Sequence, residues 1–286
     1  TGEIGLKDGP FDQAQFHQPQ GLALSADGRT LYIADTENHA VRAADLEHGT
    51  VTTLAGTGRQ ARNFQPNGPA RQVDLSSPWD LALVGTQLFI ASAGTHQIWV
   101  MDLAARRVKV HAGTGRELRI DGPNASAAFA QPSGLASDGG RLFVADSEIS
   151  TIRIVETRAN GRTSTLAGSG GLFDFGATDG RGESARFQHP LGVALHGDVL
   201  FVADTFNHLI RRVDLKTQEV STWLGTGKPD LGTAAQIGLF EPGGISIAGN
   251  QLYIADTNHH RILAVDIPTK RVRLIDVRLP ASRPGP

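Results

Sequence analysis

Histidine and aspartate are the residue types in this sequence that could do chemistry, because imidazole and carboxylate groups bind metals and transfer protons near neutral pH. Four of the ten histidines, His39, His96, His208 and His260, occupy equivalent positions in repeated turns. Equivalent positions lie on different units of a repeat protein, too far apart to share one zinc ion at bond lengths of about 2 Å. The spacing therefore predicts that these histidines form no metal site. The sequence also contains no phosphate-binding loop, so we predict no cofactor.

The aspartates of the same turns indicate a structural role. Asp and Asn side chains accept backbone N–H groups in tight turns, and Asn tolerates left-handed backbone. A catalytic acid is expected once in a chain, whereas these residues recur once per repeat. We predict turn and inter-blade braces at Asp35, Asp146, Asp204, Asp256, Asn38 and Asn207.

Five repeated segments must position these turns. Each begins with a proline and small residues, and the prolines recur at intervals of 52 to 59 residues: Pro19, Pro78, Pro132, Pro190 and Pro242. An aromatic and β-branched strand follows about ten residues later, and two further short strands complete each unit. Units of four antiparallel strands repeated around an axis are typical of a β-propeller.

The sequence thus predicts an all-β propeller of four-stranded antiparallel blades, with five blades visible, in a single domain over residues 1–286. The predicted repeats span approximately 16–58, 75–115, 129–170, 187–227 and 240–279. The crowded centre of such a ring requires small residues on the innermost strand. Gly21, Gly134 and Gly192 meet that requirement.

Blade 2 departs from this pattern on its innermost strand, where Trp79-Asp80 replaces the small residue and glycine, and in its turn, where Ser92 replaces aspartate. A carboxylate at Asp80 would lie near the mouth of the central channel, and burial there would raise its pKa. The alternative is a brace to a backbone group of the next blade. Trp79 and Asp80 are therefore candidate ligand or partner contacts.

The loops between blades and the turns between the second and third strands emerge on one face, because strand direction alternates. Long loops on a rigid scaffold commonly carry binding residues. Phenylalanines just before the inner-strand proline are expected to fill gaps between blades, but Phe173 and Phe175 lie outside that position. We predict that they and His96 are partner contacts on this face.

The charge balance disfavours nucleic acid as a partner. Formal net charge is −2 and the isoelectric point is near 6.5, whereas nucleic-acid modules have a basic face. Arginines recur on the third strands, at Arg42, Arg153, Arg211 and Arg212, but carboxylates follow within a few residues. We expect solvated cross-strand ion pairs there.

The absence of cysteine excludes disulfides and thiolate ligands in this chain. No run approaches the about 18 apolar residues that span a bilayer, and no signal segment is visible, so we expect a soluble protein without a membrane partner. The compartment stays open. Arginine exceeds lysine and alanine is abundant, which is typical of a GC-rich bacterial genome.

The turn strings resemble the NHL repeat, named for the triplet that Asn207-His208-Leu209 reproduces in full. Asn38-His39-Ala40 keeps two of the three letters. Linkers such as Asp179-Gly180 and the string Ser77-Pro78-Trp79 resemble, more narrowly, the propeller of NHL-repeat proteins in which a thioredoxin-like domain precedes the repeats. That domain's Cys-x-x-Cys motif is absent, so the resemblance implies no redox activity here.

The resemblance implies six blades, which is the usual number in NHL propellers. Thr1-Gly2 aligns with the ends of the Gly-Thr-Gly segments at Gly58, Gly115 and Gly227. The chain is therefore expected to begin where an upstream blade ended.

We interpret the sequence as a non-catalytic binding or scaffolding module for a protein partner, a neighbouring domain or a small-molecule ligand. Two alternatives remain open. One is a metal-dependent lyase or hydrolase with its site at the central channel, as some NHL-like propellers are. The other is an RNA-binding NHL propeller.

Overall fold

Each repeat folds into one antiparallel sheet. Its strands carry apolar residues on both faces, so the sheet must be covered on both sides. The second strand of blade 4, Val199–Asp204, is buried over its last five residues. A continuous apolar run of this length is typical of a strand covered on both sides. In a propeller the two neighbouring blades supply that cover.

The computed structural model describes residues 2–233 and 236–277. Thr1 and the last two residues of the fifth predicted repeat, 278 and 279, lie outside the described residues. Within them the prediction of an all-β propeller with five antiparallel blades is confirmed. From the innermost strand outward, the blades comprise Pro19–Leu24, Thr30–Asp35, Ala40–Asp45 and Thr50–Ala55; Pro78–Val84, Gln87–Ser92, Gln97–Asp102 and Arg107–Ala112; Pro132–Ser137, Arg141–Asp146, Thr151–Glu156 and Arg162–Ala167; Pro190–His196, Val199–Asp204, Leu209–Asp214 and Glu219–Leu224; and Pro242–Ala248, Gln251–Asp256, Arg261–Asp266 and Val272–Ile275.

The sequence did not predict a fifth, very short strand that the linker before each of blades 1 to 4 adds outside the outermost strand. These strands are Gly9–Pro10, Asn67–Pro69, Gly122–Pro123 and Gly180–Arg181. Two or three residues rich in Gly and Pro carry no β signal of their own. Within residues 2–233 and 236–277, six short 3₁₀ helices complete the elements: Thr36–Asn38, Ala70–Gln72, Ala93–Thr95, Gly182–Ser184, Thr205–Asn207 and Thr257–His259.

The innermost strands of blades 1 to 5 pack side by side in chain order around the axis. Glycine is needed where two of them approach most closely. A Cβ on Gly192 of blade 4 would collide with the carbonyl oxygen of Gly243 in blade 5, whereas a Cβ on the equivalent Gly244 would meet open space. The described residues therefore cover only one face of blade 5.

Blade 1 is open on the opposite side. Leu22 is 57% exposed, although the equivalent Val193 of blade 4 is 4% exposed because it packs against blade 3. On blade 5 Ile262 is 39% exposed, whereas its equivalent Ile210 is fully buried between blades 4 and 5. The five described blades thus form a row with a free face at each end.

Candidate functional site

The turn aspartate of blade 4 lies at the centre of a buried ion-pair network. Asp204 accepts the backbone N–H of Gln188 at 2.7 Å through Oδ1 and Arg211 Nη1 at 2.8 Å through Oδ2. Arg211 Nη2 donates to Asp179 of the linker at 2.7 Å. The guanidinium lies over Phe187, 5.4 Å from the ring centroid. Strand, turn and linker of the blade are thereby tied together.

Blades 1 and 3 repeat this network. The equivalent groups are Asp35, Arg42 and Asp8 in blade 1, and Asp146, Arg153 and Asp121 in blade 3. The expectation that the third-strand arginines form solvated pairs is wrong for Arg42, Arg153 and Arg211, since all three are fully buried. In blade 5 Asp256 Oδ2 accepts a hydrogen bond from Arg261 Nε at 2.6 Å and is hydrogen-bonded to His259 Nδ1 at 2.8 Å.

Blade 2 replaces the charged network with neutral groups. Ser92 Oγ donates to the carbonyl of Ser76 at 3.0 Å and accepts from Thr95 Oγ1 at 2.8 Å. Trp99 stands at the position of the arginine, and its Nε1 donates to Gln97 Oε1 at 3.0 Å. Gln97 in turn donates to the carbonyls of Phe64 and Gly113, both at 2.9 Å. The same turn geometry is therefore held without charge.

The repeated histidines join neighbouring blades. His39, His96 and His208 have left-handed backbone, and Nδ1 of each accepts the N–H of the residue just before the next blade's proline, at 3.1 to 3.2 Å. In blade 3 the hydroxyl of Ser150 serves the same purpose for His189 N. An accepting Nδ1 must be unprotonated. Burial accordingly lowers the pKa of His39.

The turn asparagines hold the linkers of their own blades. Asn38 Nδ2 donates to the carbonyl of Gly5, and Asn207 Nδ2 to that of Gly176, both at 2.7 Å. Each also donates to its turn aspartate, at 2.9 and 2.8 Å. Because Gly176 follows Phe175 directly, Asn207 helps to fix the linker that carries this exposed ring.

Large apolar side chains with more than two fifths of their surface exposed encircle the loop-rich face. We call this set the apolar rim: Ile4, Phe64, Leu118, Leu172, Phe173, Phe175, Phe206 and Leu231. Phe173 is 84% exposed. Phe206 stacks on His189 with ring centroids 4.7 Å apart. Among the described residues, three apolar side chains are similarly exposed toward the opposite face: Phe11 and Leu46, beside the turn between the third and fourth strands, and Leu24, at the far end of an inner strand. Leu22, Leu274 and Val277, in blades 1 and 5, are also more than two fifths exposed.

A cavity of about 920 Å³ lies between the innermost strands and continues over the free face of blade 5, where Tyr253 and Ile262 line it. It extends from Trp79 and Phe206 at the loop-rich face to Ser137 and Ile247 at the far ends of the inner strands. Its walls are mainly glycine, alanine and branched apolar residues. A cavity of this volume is within the range of small-molecule sites.

Asp80 is at the wall of this cavity and also braces blade 2 to blade 3. Its Oδ2 accepts the N–H of Leu135 in blade 3 at 2.8 Å, and Oδ1 accepts that of Leu81 at 2.8 Å. Desolvation by burial raises its pKa to about 7, against the lowering effect of these two hydrogen bonds. Asp80 is thus placed both to contact a ligand in the cavity and to brace blade 2 to blade 3.

The structure does not bring the predicted contact residues into one site. Trp79 and Asp80 line the cavity, Phe173 and Phe175 belong to the apolar rim, and His96 is engaged with blade 3. Sequence reasoning missed Phe206, which belongs to both the cavity wall and the rim. Its place inside the NHL turn, where polar residues prevail, was the available signal.

No group of three or more His, Cys, Asp or Glu side chains that could hold a metal ion occurs within residues 2–233 and 236–277. Over the same ranges, no helix has the length and apolar character needed to cross a bilayer.

The NHL repeat family model matches residues 16–43 and 241–264, which cover the inner strands and histidine turns of the first and last blades. The chain is an NHL-repeat β-propeller. It is 40% identical over 308 residues to NHL repeat-containing protein 2 of Homo sapiens, and 39% identical over 280 residues to the chloroplastic protein SUPPRESSOR OF QUENCHING 1 of Arabidopsis thaliana. These matches cover 96% and 93% of this NHL-repeat chain.

The chain spans only 42% of the human protein and 26% of the plant protein. A preceding thioredoxin-like domain and a sixth blade stay predictions. A bacterial origin also stays a prediction, since these relatives are animal and plant proteins.

Solved structures that share the fold include the following two. A chain of a nidogen/laminin complex has a TM-score of 0.65 at 19% identity, covering 92% of this chain and 81% of its own. A streptogramin B lyase has a TM-score of 0.57 at 14% identity, covering 97% of this chain and 74% of its own. Identity this low indicates shared architecture only.

Proposed function

We propose that this NHL propeller is a non-catalytic binding module that docks a protein partner or a neighbouring domain through its loop-rich face. The apolar rim carries this proposal. Monomeric proteins rarely expose contiguous apolar patches larger than a few hundred Å², and larger patches mark interaction sites. Eight strongly exposed apolar side chains lie on this face, against three toward the opposite face within the described residues.

Hydrogen bonds to the backbone at two of the rim linkers support the same function. The Phe64 linker is bonded to Gln97, and the Phe175 linker to Asn207. A surface whose backbone is already fixed loses little conformational entropy on binding, so more of the contact energy appears as affinity. The greater length of the matched relatives supports a neighbouring domain as one class of partner.

Neither alternative function has a specific observation in its favour. Burial of Arg42, Arg153 and Arg211 removes the basic stripe that an RNA-binding propeller would need. The channel wall offers Asp80 without convergent imidazole ligands among the described residues.

The test is a binding measurement with the full-length protein and a partner purified after capture on it. Phe173→Ser together with Leu172→Ser is expected to weaken binding by about 30-fold or more, the loss typical of an interface hot spot. Leu46→Ser, which removes a 45% exposed leucine from the opposite face, is the matched control and is expected to leave the affinity unchanged.

The proposal fails if the double variant binds as tightly as the wild type while Leu46→Ser weakens binding. It fails equally if no captured protein binds the purified chain directly. Circular dichroism on each variant verifies that the fold is retained, which is expected because the substituted side chains are solvent-exposed.

A further inference from the structure

The cavity between the innermost strands has a single sign of charge. Asp80 and Glu241 are its two titratable acids, and none of the residues that line it is lysine, arginine or histidine. In a site with low-dielectric walls, one sign of charge raises the local concentration of the opposite ion. The cavity therefore disfavours anions and attracts cations.

We propose that this cavity binds a small organic cation with an apolar body, such as a primary amine attached to an aromatic or aliphatic group, with the ammonium directed to Asp80. This ligand site shares Phe206 with the apolar rim but is centred on Asp80, so it is tested independently of the docking proposed for that surface.

Asp80 is held in place for such a contact. Each carboxylate oxygen accepts one backbone N–H at 2.8 Å, which leaves further lone pairs on both atoms. Among the residues that the structure describes, no cationic side chain pairs with the carboxylate, whereas Asp35, Asp146 and Asp204 are each paired with a buried arginine. A bound ammonium would supply the missing counter-charge.

The rest of the wall suits the apolar body of the ligand. Trp79, Phe206 and Tyr253 border the cavity with aromatic surface, and Leu191 and Ile245 add aliphatic surface. Aromatic faces attract organic cations as well as apolar groups. A purely hydrophilic cation such as a hydrated metal ion would leave this surface unused.

Isothermal titration calorimetry on the full chain at pH 8 tests the proposal with three probes of one shape: 2-phenylethylammonium, 2-phenylethanol and 3-phenylpropionate. The ammonium remains charged to about pH 10, as a lysine amine does. We expect it to bind at least about tenfold more tightly than the alcohol, the factor for one charge-assisted hydrogen bond. The carboxylate probe is expected not to bind.

The Asp80→Asn variant keeps the size of the side chain and removes its charge. We expect its affinity for the ammonium to fall to that for the alcohol. Asp198→Asn, which neutralises an exposed carboxylate in the hairpin turn at the opposite face, is the control and is expected to change nothing.

Asp80→Asn also weakens the brace to Leu135, so a second readout covers the case in which the variant does not fold. In the wild type, affinity for the ammonium is expected to rise between pH 6 and pH 8 as Asp80 ionises, while affinity for the alcohol stays flat. Equal affinity for ammonium and alcohol, absence of binding by all three probes, or a pH-independent preference would overturn the proposal.

Discussion

Blades 4 and 5 carry nearly the same sequence pattern but have different neighbours. Leu200-Phe201-Val202-Ala203-Asp204 and Leu252-Tyr253-Ile254-Ala255-Asp256 form equivalent strands, and a 3₁₀ turn with a left-handed histidine follows each. Blade 4 lies between two blades, whereas the described residues cover blade 5 on one side only. Comparing the two blades shows which structural properties are set by the sequence of the repeat itself and which depend on the adjacent blade.

Local geometry belongs to the repeat. His208 and His260 have φ angles of 56° and 51°, and both turns begin with a buried aspartate. Burial and bonding depend on the next blade. Thr205 Oγ1 donates to the carbonyl of Pro242 in blade 5 at 2.9 Å, whereas the bond recorded for Thr257 Oγ1 is to Ala255 of its own strand. Repeat proteins are stabilised in this way, by nearest-neighbour interfaces.

The largest expected difference between the two blades concerns their arginines. Arg211→Met leaves Asp204 buried without its counter-charge, and breaking a fully buried pair costs about 3–5 kcal/mol. Arg261 lies two positions earlier in its strand than Arg211 does, and its side chain is 19% exposed. Arg261→Met is therefore expected to cost only about 1–2 kcal/mol, because water can approach the group that the arginine leaves. The free energy of unfolding from urea titration measures both.

Equal losses for Arg211→Met and Arg261→Met would contradict this account of the networks. Asp256 would then depend on its arginine as strongly as Asp204 does, despite the 19% exposure of the Arg261 side chain.

The strands and turns were predictable from sequence because their signals are local. Aromatic and β-branched runs mark the second strands, and the Asp-Thr-x-Asn-His pattern marks the turns. The location of the arginines was not predictable. In a sheet with one solvent-facing side, Arg211 and Arg212 would be expected to point to solvent. In the propeller, neighbouring blades cover both faces of the third strand, and Arg211 is completely buried. The burial of the arginines therefore depends on how the blades pack, which no local sequence pattern shows.

The channel and the rim were predictable only in part. Trp79-Asp80 stood out because it breaks the repeat, and Phe173 and Phe175 because they lie off the repeated positions. Leu118 and Leu231 gave no such signal, since leucine in a linker is more often buried than exposed. Their exposure results from the path of each linker over the loop-rich face.

An intermediate difference is expected for the inner-strand glycines. Gly192→Ala places a Cβ against the Gly243 carbonyl and is expected to cost about 1–3 kcal/mol, as overpacking does. Gly244→Ala meets open space and is expected to change stability by less than about 0.5 kcal/mol. The pair of unfolding free energies tests whether the face of blade 5 is free in solution. A large loss for Gly244→Ala would show that something covers it.

The smallest expected difference concerns the histidines that join blades. His208→Ala removes the acceptor for Glu241 N, and an unsatisfied backbone donor at this position is expected to cost about 1 kcal/mol. His260→Ala removes a side chain for which no partner is recorded among the described residues, so we expect almost no change. The two positions share left-handed backbone, so the strain that alanine introduces cancels in the comparison.

Equal losses for His208→Ala and His260→Ala would contradict this account of the junction. They would mean that the hydrogen bond from Glu241 N to His208 contributes little to stability. His208 also makes an edge-to-face contact with Phe240, with ring centroids 5.5 Å apart, and His208→Phe keeps an aromatic ring there while removing the acceptor. A loss for His208→Phe close to that for His208→Ala is therefore expected if the hydrogen bond, and not the ring packing, stabilises the junction.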